Sequence, residues 1–182
     1  GQWAIHDACR QAVFWQAQGH IDTTTSVNVS AGLISQRGFV EQIRNTLTET
    51  GLQPELLELE ITESMLVEDF DLFKETLNLV RNLGVQIALD DFGTGFSSLM
   101  YLSQFPIDTL KIDQHFVRNL GQRNRLIIQS VIELAQKLHL RTIAEGVETL
   151  NHAEFLLGAG CQLAQGYYFS SPLSPDAYAE YA

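Results

Sequence analysis

The chain has 182 residues, 45% of them hydrophobic, enough for one sizeable core and about one domain. Acidic residues number 22 against 11 basic ones, and the net charge of −11 excludes a protein that holds a nucleic-acid polymer by neutralising its phosphates. No apolar run is long enough to span a bilayer, no basic-then-apolar signal pattern opens the sequence, and the two cysteines, Cys9 and Cys161, make no disulfide framework, so a cytoplasmic domain is expected.

In chain order, the sequence opens inside a helical pattern at Gln2, without an initiator Met, as a piece of a longer protein would. Short apolar runs then alternate with helical patterns. The runs are 26–30, 56–62, 86–92, 109–113, 141–147 and 163–170, and each reads as a strand buried on both faces. Between them, 39–50 carries Phe39, Ile43 and Leu47 and stops at Gly51. Segment 70–83 carries Phe70, Phe73, Leu77 and Val80 and stops at Gly84. Segment 126–138 places Ile127, Val131, Leu134 and Leu138 on one face. Thr149 is suited to cap a helix over 150–157, and a last short helix is expected over 176–181.

Strand alternating with helix implies parallel strands joined by right-handed crossovers. The runs begin about 27 residues apart, near the ~31 per unit of a (β/α)8 barrel. The expected fold is therefore α/β, a TIM-type (β/α)8 barrel of which about six of eight strands are present, forming a single domain over 1–182. An open doubly wound sheet is the alternative. The barrel is preferred because polar residues sit at the strand ends in every unit, whereas an open sheet concentrates them at one switch point.

Those polar residues are Asn28, Glu60, Asp90 with Asp91, Lys111 with Asp113, Glu145 with Glu148, and Gln165. In barrels the C-terminal strand ends carry the active site. A charged group there is costly unless paired or metal-bound. An amide and several carboxylates form a hard oxygen-donor set that suits Mg²⁺ or Mn²⁺ and does not suit zinc. Asp90 and Asp91 can serve two ions about 3.5–4 Å apart if the strand turns at Asp91. Lys111 has three readings: an ion-pair partner orienting a glutamate, a contact to substrate phosphate, or a polariser of the attacking water. Glu145 is the candidate second-metal ligand or water-orienting base. Gly93, Thr94 and Gly95 form a glycine-rich loop read as a mobile lid, which Glu63 could anchor.

The motifs Leu59-Glu60-Ile61-Thr62-Glu63-Ser64, Asp90-Asp91-Phe92-Gly93-Thr94-Gly95-Phe96-Ser97-Ser98-Leu99, Leu110-Lys111-Ile112-Asp113, Ala144-Glu145-Gly146-Val147-Glu148-Thr149 and Gln165-Gly166-Tyr167 resemble, in order, those of EAL domains. These are the cyclic-di-GMP-specific phosphodiesterases of bacterial signalling. The resemblance implies metal-dependent hydrolysis of cyclic-di-GMP to linear pGpG on a (β/α)8 barrel with two divalent cations, Mg²⁺ or Mn²⁺. It further implies that Asn28, Glu60 and Asp90 hold the first metal and that Asp90 bridges to a second beside Asp91 and Glu145. Lys111 then positions the catalytic glutamate or water, and Glu148 and Gln165 support the site, with Asp113 beside them. Glu63 holds the lid loop.

The sequence departs from the family in three places. The Glu-Ala-Leu motif is absent from the chain, Gln114 follows Lys-Ile-Asp where arginine is frequent, and Ser171 stands near another frequent arginine. The alternative within this resemblance is a catalytically silent module that senses cyclic-di-GMP or binds a protein. The missing metal ligand leads us to expect little turnover from the isolated chain. A homodimer and upstream GGDEF-like or sensory domains, in a parent that is in some relatives membrane-anchored, complete the expectations.

Overall fold

A computed structural model describes residues 1–20, 23–67, 70–93 and 99–181. Helix α1 (Gln2–Ala17) leads into β1 (Thr25–Asn28), the short helix α2 (Ala31–Ile34) and α3 (Phe39–Thr50). Strand β2 (Leu57–Thr62), α4 (Phe70–Arg81) and β3 (Gln86–Phe92) follow, then α5 (Leu99–Gln104) and β4 (Thr109–Ile112). The chain continues through α6 (Gln114–Arg118), α7 (Gln122–Lys137), β5 (Arg141–Ala144), α8 (Leu150–Gly158), β6 (Leu163–Ala164) and α9 (Pro175–Tyr181).

All six strands are parallel, and each lies beside its predecessor in the order β1-β2-β3-β4-β5-β6. A doubly wound sheet reverses direction at a switch point. Strictly sequential order has no such point, so the sheet is the arc of a barrel and the open-sheet alternative falls.

The strands are not buried apolar on both faces, as their short apolar runs led us to expect. Strand β2 alternates. Leu57, Leu59 and Ile61 are fully buried in the main hydrophobic core that the helices share. Glu58 and Glu60 occupy the opposite, lumenal face, also almost wholly buried. The helices cover the outer face through 3.6-residue stripes: Phe39, Ile43 and Leu47 on α3, and Phe73, Leu77 and Val80 on α4. Burying each such side chain contributes about 1.5–3 kcal/mol. On α7 the deeply buried stripe is Ile128, Ile132 and Ala135, one residue on from the face expected. Val131 and Leu134 are only partly buried against the core, and Leu138 is exposed.

The lumen holds two polar layers. In the lower one Glu58 accepts hydrogen bonds from Ser26 Oγ at 2.9 Å, Thr109 Oγ1 at 2.7 Å and Arg141 Nη2 at 2.9 Å. Arg141 also donates to Gln86 Oε1 and to Thr109 Oγ1. One buried carboxylate thus ties together side chains from four strands, and Arg141 adds Gln86 of the fifth, β3. It satisfies the desolvation cost of its charge with three donors, one of them cationic. The Glu58→Gln variant should lose about 2 kcal/mol of stability, because hydrogen bonds to a charged group contribute roughly 1.5–3 kcal/mol. Urea denaturation followed by circular dichroism measures the loss.

Candidate active site

Two residues further along β2 and β4, and four further on from Gln86 and Arg141, the upper polar layer lies at the C-terminal ends of the strands. Its centre is Lys111 on β4. The Lys111 Nζ lies 2.7 Å from Glu145 Oε1, 2.9 Å from Glu60 Oε1 and 3.3 Å from Asp90 Oδ1. The side chain is only 5% exposed. Parallel register puts these groups together: Glu60 pairs with Ala88 two residues before Asp90, and Lys111 pairs with Ile143 two residues before Glu145. Gln165 Nε2, just past β6, donates to Glu145 Oε1 at 3.0 Å.

Burial by itself would lower the Lys111 pKa. Hydrogen bonds to Glu145 and Glu60, and their charges, more than offset it, so the pKa is raised and the amine stays an ammonium. Burial raises the Glu145 pKa; the Lys111 contact opposes this, and the Asp90 and Glu60 charges reinforce it. The Asp91 pKa is raised by burial, by the charges of Asp90 and Asp113, and by a side-chain hydrogen bond to Asp113.

The acid pair depends on a bulge. Leu89 pairs with Leu110 and Phe92 with Ile112, so β3 spends three steps where β4 spends two. The extra backbone is taken up at Asp91, whose φ of 55° is left-handed. Asp91 N donates to Asp90 Oδ1 at 2.9 Å, and Gly93 continues the turn at φ 95°. The expected turn at Asp91 is therefore present, inside the strand rather than after it. It brings both carboxylates to the site, Asp90 against Lys111 and Asp91 against Asp113.

The other expected residues divide. Asn28 stands in register with Glu60 at the end of β1, exposed. Asp113 is buried and caps α6, accepting from His115 N at 2.9 Å. Glu148 pairs with Arg118 Nε at 2.8 Å and lines the same cleft as Glu145. Glu63 is buried in the turn after β2. Thr94 and Gly95 of the expected lid lie outside the described residues. The strand expected over 163–170 ends at Ala164, because Gly166 presses against the Val147 backbone and the chain turns, Phe169 N donating to Gly166 O. Sequence reasoning missed Arg118, His115 and the Glu58–Arg141 layer. The alternation Leu57-Glu58-Leu59-Glu60 could have exposed the last of these, since residues two apart share a strand face.

Among the described residues, no three of His, Cys, Asp and Glu stand close enough to hold a metal ion as they are. The reason is visible in the ion pairs: the Lys111 ammonium lies between Glu60, Asp90 and Glu145 and holds them as a cation would. An all-oxygen set that already accommodates a buried cation fits a hard divalent ion.

Fold and site together define a (β/α)-barrel protein with a carboxylate-rich, cation-holding site at its strand ends. The chain belongs to the EAL domain family, whose model matches residues 1–172. It is 41% identical over 98% of its length to the cyclic di-GMP phosphodiesterase NbdA of Pseudomonas aeruginosa, and covers 23% of that protein. It is 39% identical over 97% of its length to MucR of the same species, a bifunctional diguanylate cyclase/cyclic di-GMP phosphodiesterase, of which it covers 26%. The chain thus spans about a quarter of the length of these curated relatives. It superposes on a PaMucR phosphodiesterase–c-di-GMP complex with a TM-score of 0.93 at 38% identity, covering 98% of this chain and 73% of that one. On a Klebsiella pneumoniae BlrP1 complex with manganese and cyclic-di-GMP the TM-score is 0.85 at 31% identity, over 94% of this chain and 44% of that one. No described helix is long and apolar enough to cross a membrane.

Replacing Lys111 by Met leaves the buried Glu60 carboxylate and the partly buried Asp90 and Glu145 carboxylates without their cation. Breaking a buried pair this way costs about 3–5 kcal/mol. Thermal melts in EDTA should show Lys111→Met strongly destabilised. Melts in excess Mn²⁺ should return part of the loss, since a cation that binds only the folded state stabilises it.

Proposed function

We propose that the protein carrying this chain hydrolyses cyclic-di-GMP to linear pGpG with two divalent cations, Mg²⁺ or Mn²⁺. The observation that carries this reading is the Lys111 ammonium held by Glu60, Asp90 and Glu145 at the strand ends. The names of NbdA and MucR and the manganese complex of BlrP1 support it.

Asn28, Glu60 and Asp90 would hold one cation, and Asp90, Asp91 and Glu145 would hold the other. The bound ions supply a more acidic water and charge neutralisation at the phosphate. Lys111 Nζ, donating to Glu145 Oε1, fixes the direction of that carboxylate. Gln165 Nε2 holds the same oxygen from the far side. Glu145 is then oriented to accept a hydrogen bond from the attacking water and draw its proton away. Water oxygen bonds to phosphorus, one phosphorus–oxygen ester bond breaks, and the proton finishes on the departing sugar oxygen. A cleft of about 440 Å³ opens beside Glu145, lined in part by Gln114, Arg118, Glu148 and Tyr167, and receives part of the dinucleotide. Glu63, buried after β2, is proposed to anchor the loop that begins at Gly93. Regulatory segments such as the cyclase activity in MucR's name are proposed to accompany the domain.

Chromatography of the intact protein incubated with cyclic-di-GMP and Mn²⁺ should show pGpG, and no product would refute the reading. Asp90→Asn should abolish turnover. His139→Asn should leave it unchanged: His139 has a φ of 58° between α7 and β5, at the N-terminal end of that strand and opposite the end that carries the acids, and asparagine tolerates that conformation.

The raised pKa values of Asp91 and Glu145 set the direction of a pH effect. Both are raised from the ordinary carboxylate range, so protons compete with cations up to a higher pH than for free carboxylates. Mn²⁺ affinity measured by calorimetry should therefore fall as the pH is lowered towards that range and be highest well above it.

A further inference from the structure

The cleft beside Glu145 carries an ion pair that the hydrolytic step does not use. Arg118, the last residue of α6, meets Glu148 through Nε at 2.8 Å, and the two side chains are 45% and 41% exposed. Both line the cleft, Arg118 from the helix after β4 and Glu148 from the loop after β5. Among the described residues, nothing pairs with the two terminal nitrogens of Arg118. Gly146 packs against this side of α6: at its φ of 69°, a Cβ would come within 2.5 Å of Gln114 Cβ and 3.5 Å of Arg118 Nε. The Tyr167 ring also lines the cleft, 66% exposed and without a ring or hydroxyl partner among the described residues.

These features suit a flat, neutral ligand with a polar edge. A phosphate would be drawn to Arg118 but repelled by the Glu148 carboxylate beside it, so the pair is a poor anion site. An arginine only donates hydrogen bonds, and a carboxylate only accepts them. Side by side they present a donor and then an acceptor. Guanine offers the complement along one edge: O6 accepts, and N1–H and the N2 amino group donate. Adenine reverses that order, with an N6 amino donor where guanine has O6 and a bare N1. It would set donor against donor and acceptor against acceptor. An exposed aromatic ring supplies a face on which a base can stack. We propose that this cleft is the subsite for one guanine base of cyclic-di-GMP and that the Arg118–Glu148 pair reads it. A terminal N–H of Arg118 donates to O6, Glu148 accepts from N1 and N2, and Tyr167 stacks on the ring. The pair sets specificity and takes no part in phosphate cleavage. This role rests on the reading of cyclic-di-GMP as the substrate.

The test is turnover of cyclic-di-GMP by the intact protein in Mn²⁺, with cyclic-di-AMP as competitor and a thermal melt of each variant. Arg118→Met keeps the apolar stem and loses the donors. Its KM should rise about 10-fold, the scale of one lost base-reading contact. Its kcat should not change, because the base is held equally in the ground and transition states. Cyclic-di-AMP should inhibit the wild type weakly and Arg118→Met no less strongly. Arg118→Lys, which keeps a cation and a donor, should recover part of the KM. The melting temperature should hardly move, since an exposed ion pair contributes little to stability. A lower melt with KM kept would mean that the pair only ties α6 to the loop after β5, and would overturn the subsite. So would a fall in kcat alone, or cyclic-di-AMP competing against the wild type as well as cyclic-di-GMP binds. None of these results touches the phosphodiesterase reading. A wild-type protein that makes no pGpG would sink that reading and this one with it.

Discussion

Everything at the top of this half-barrel depends on one buried ammonium. Glu60, Asp90 and Glu145 come from three different strands, and three carboxylates so close would repel one another in a medium of low dielectric. Lys111 removes that repulsion from the middle, at 2.7–3.3 Å from each. Its raised pKa means the pairing persists across the neutral range and is lost only as the pH rises past the ordinary lysine value. A site organised by a cation is already shaped to exchange or share it with another.

The two lumenal layers divide the work. Glu58 and its three donors link the strands from inside, where most barrels place apolar side chains. This lower layer is closed: each of its charges is paired. The upper layer is open towards solvent at Asp90, Asp91 and Glu145, each of which is partly exposed. Between them the bulge at Asp91 turns one strand end into two converging carboxylates. The site is thus made less by unusual residues than by register, which sets Glu60, Asp90, Lys111 and Glu145 around one point.

Much of this could be read from residues alone. Strand β3 was expected at 86–92 and lies there, and α3 runs over 39–50 as its Phe39, Ile43 and Leu47 spacing required. The turn at Asp91 followed from the need for adjacent aspartates to converge. Other features were hidden. The end of β6 at Ala164 depends on the approach of Gly166 to Val147, a tertiary contact that no local pattern announces. The Arg118 partner of Glu148 is likewise announced by no local pattern. The α7 stripe was displaced by one residue because its apolar residues cover more than one face, and only packing decides which is innermost.

Anomalous diffraction from crystals of the protein grown with Mn²⁺ would test the central claim most directly. The account predicts manganese peaks within coordination distance of the Glu60 and Asp90 carboxylates, with the Lys111 ammonium no longer shared among all three acids. Peaks elsewhere, or Lys111 still bridging Glu60, Asp90 and Glu145 in saturating Mn²⁺, would contradict it.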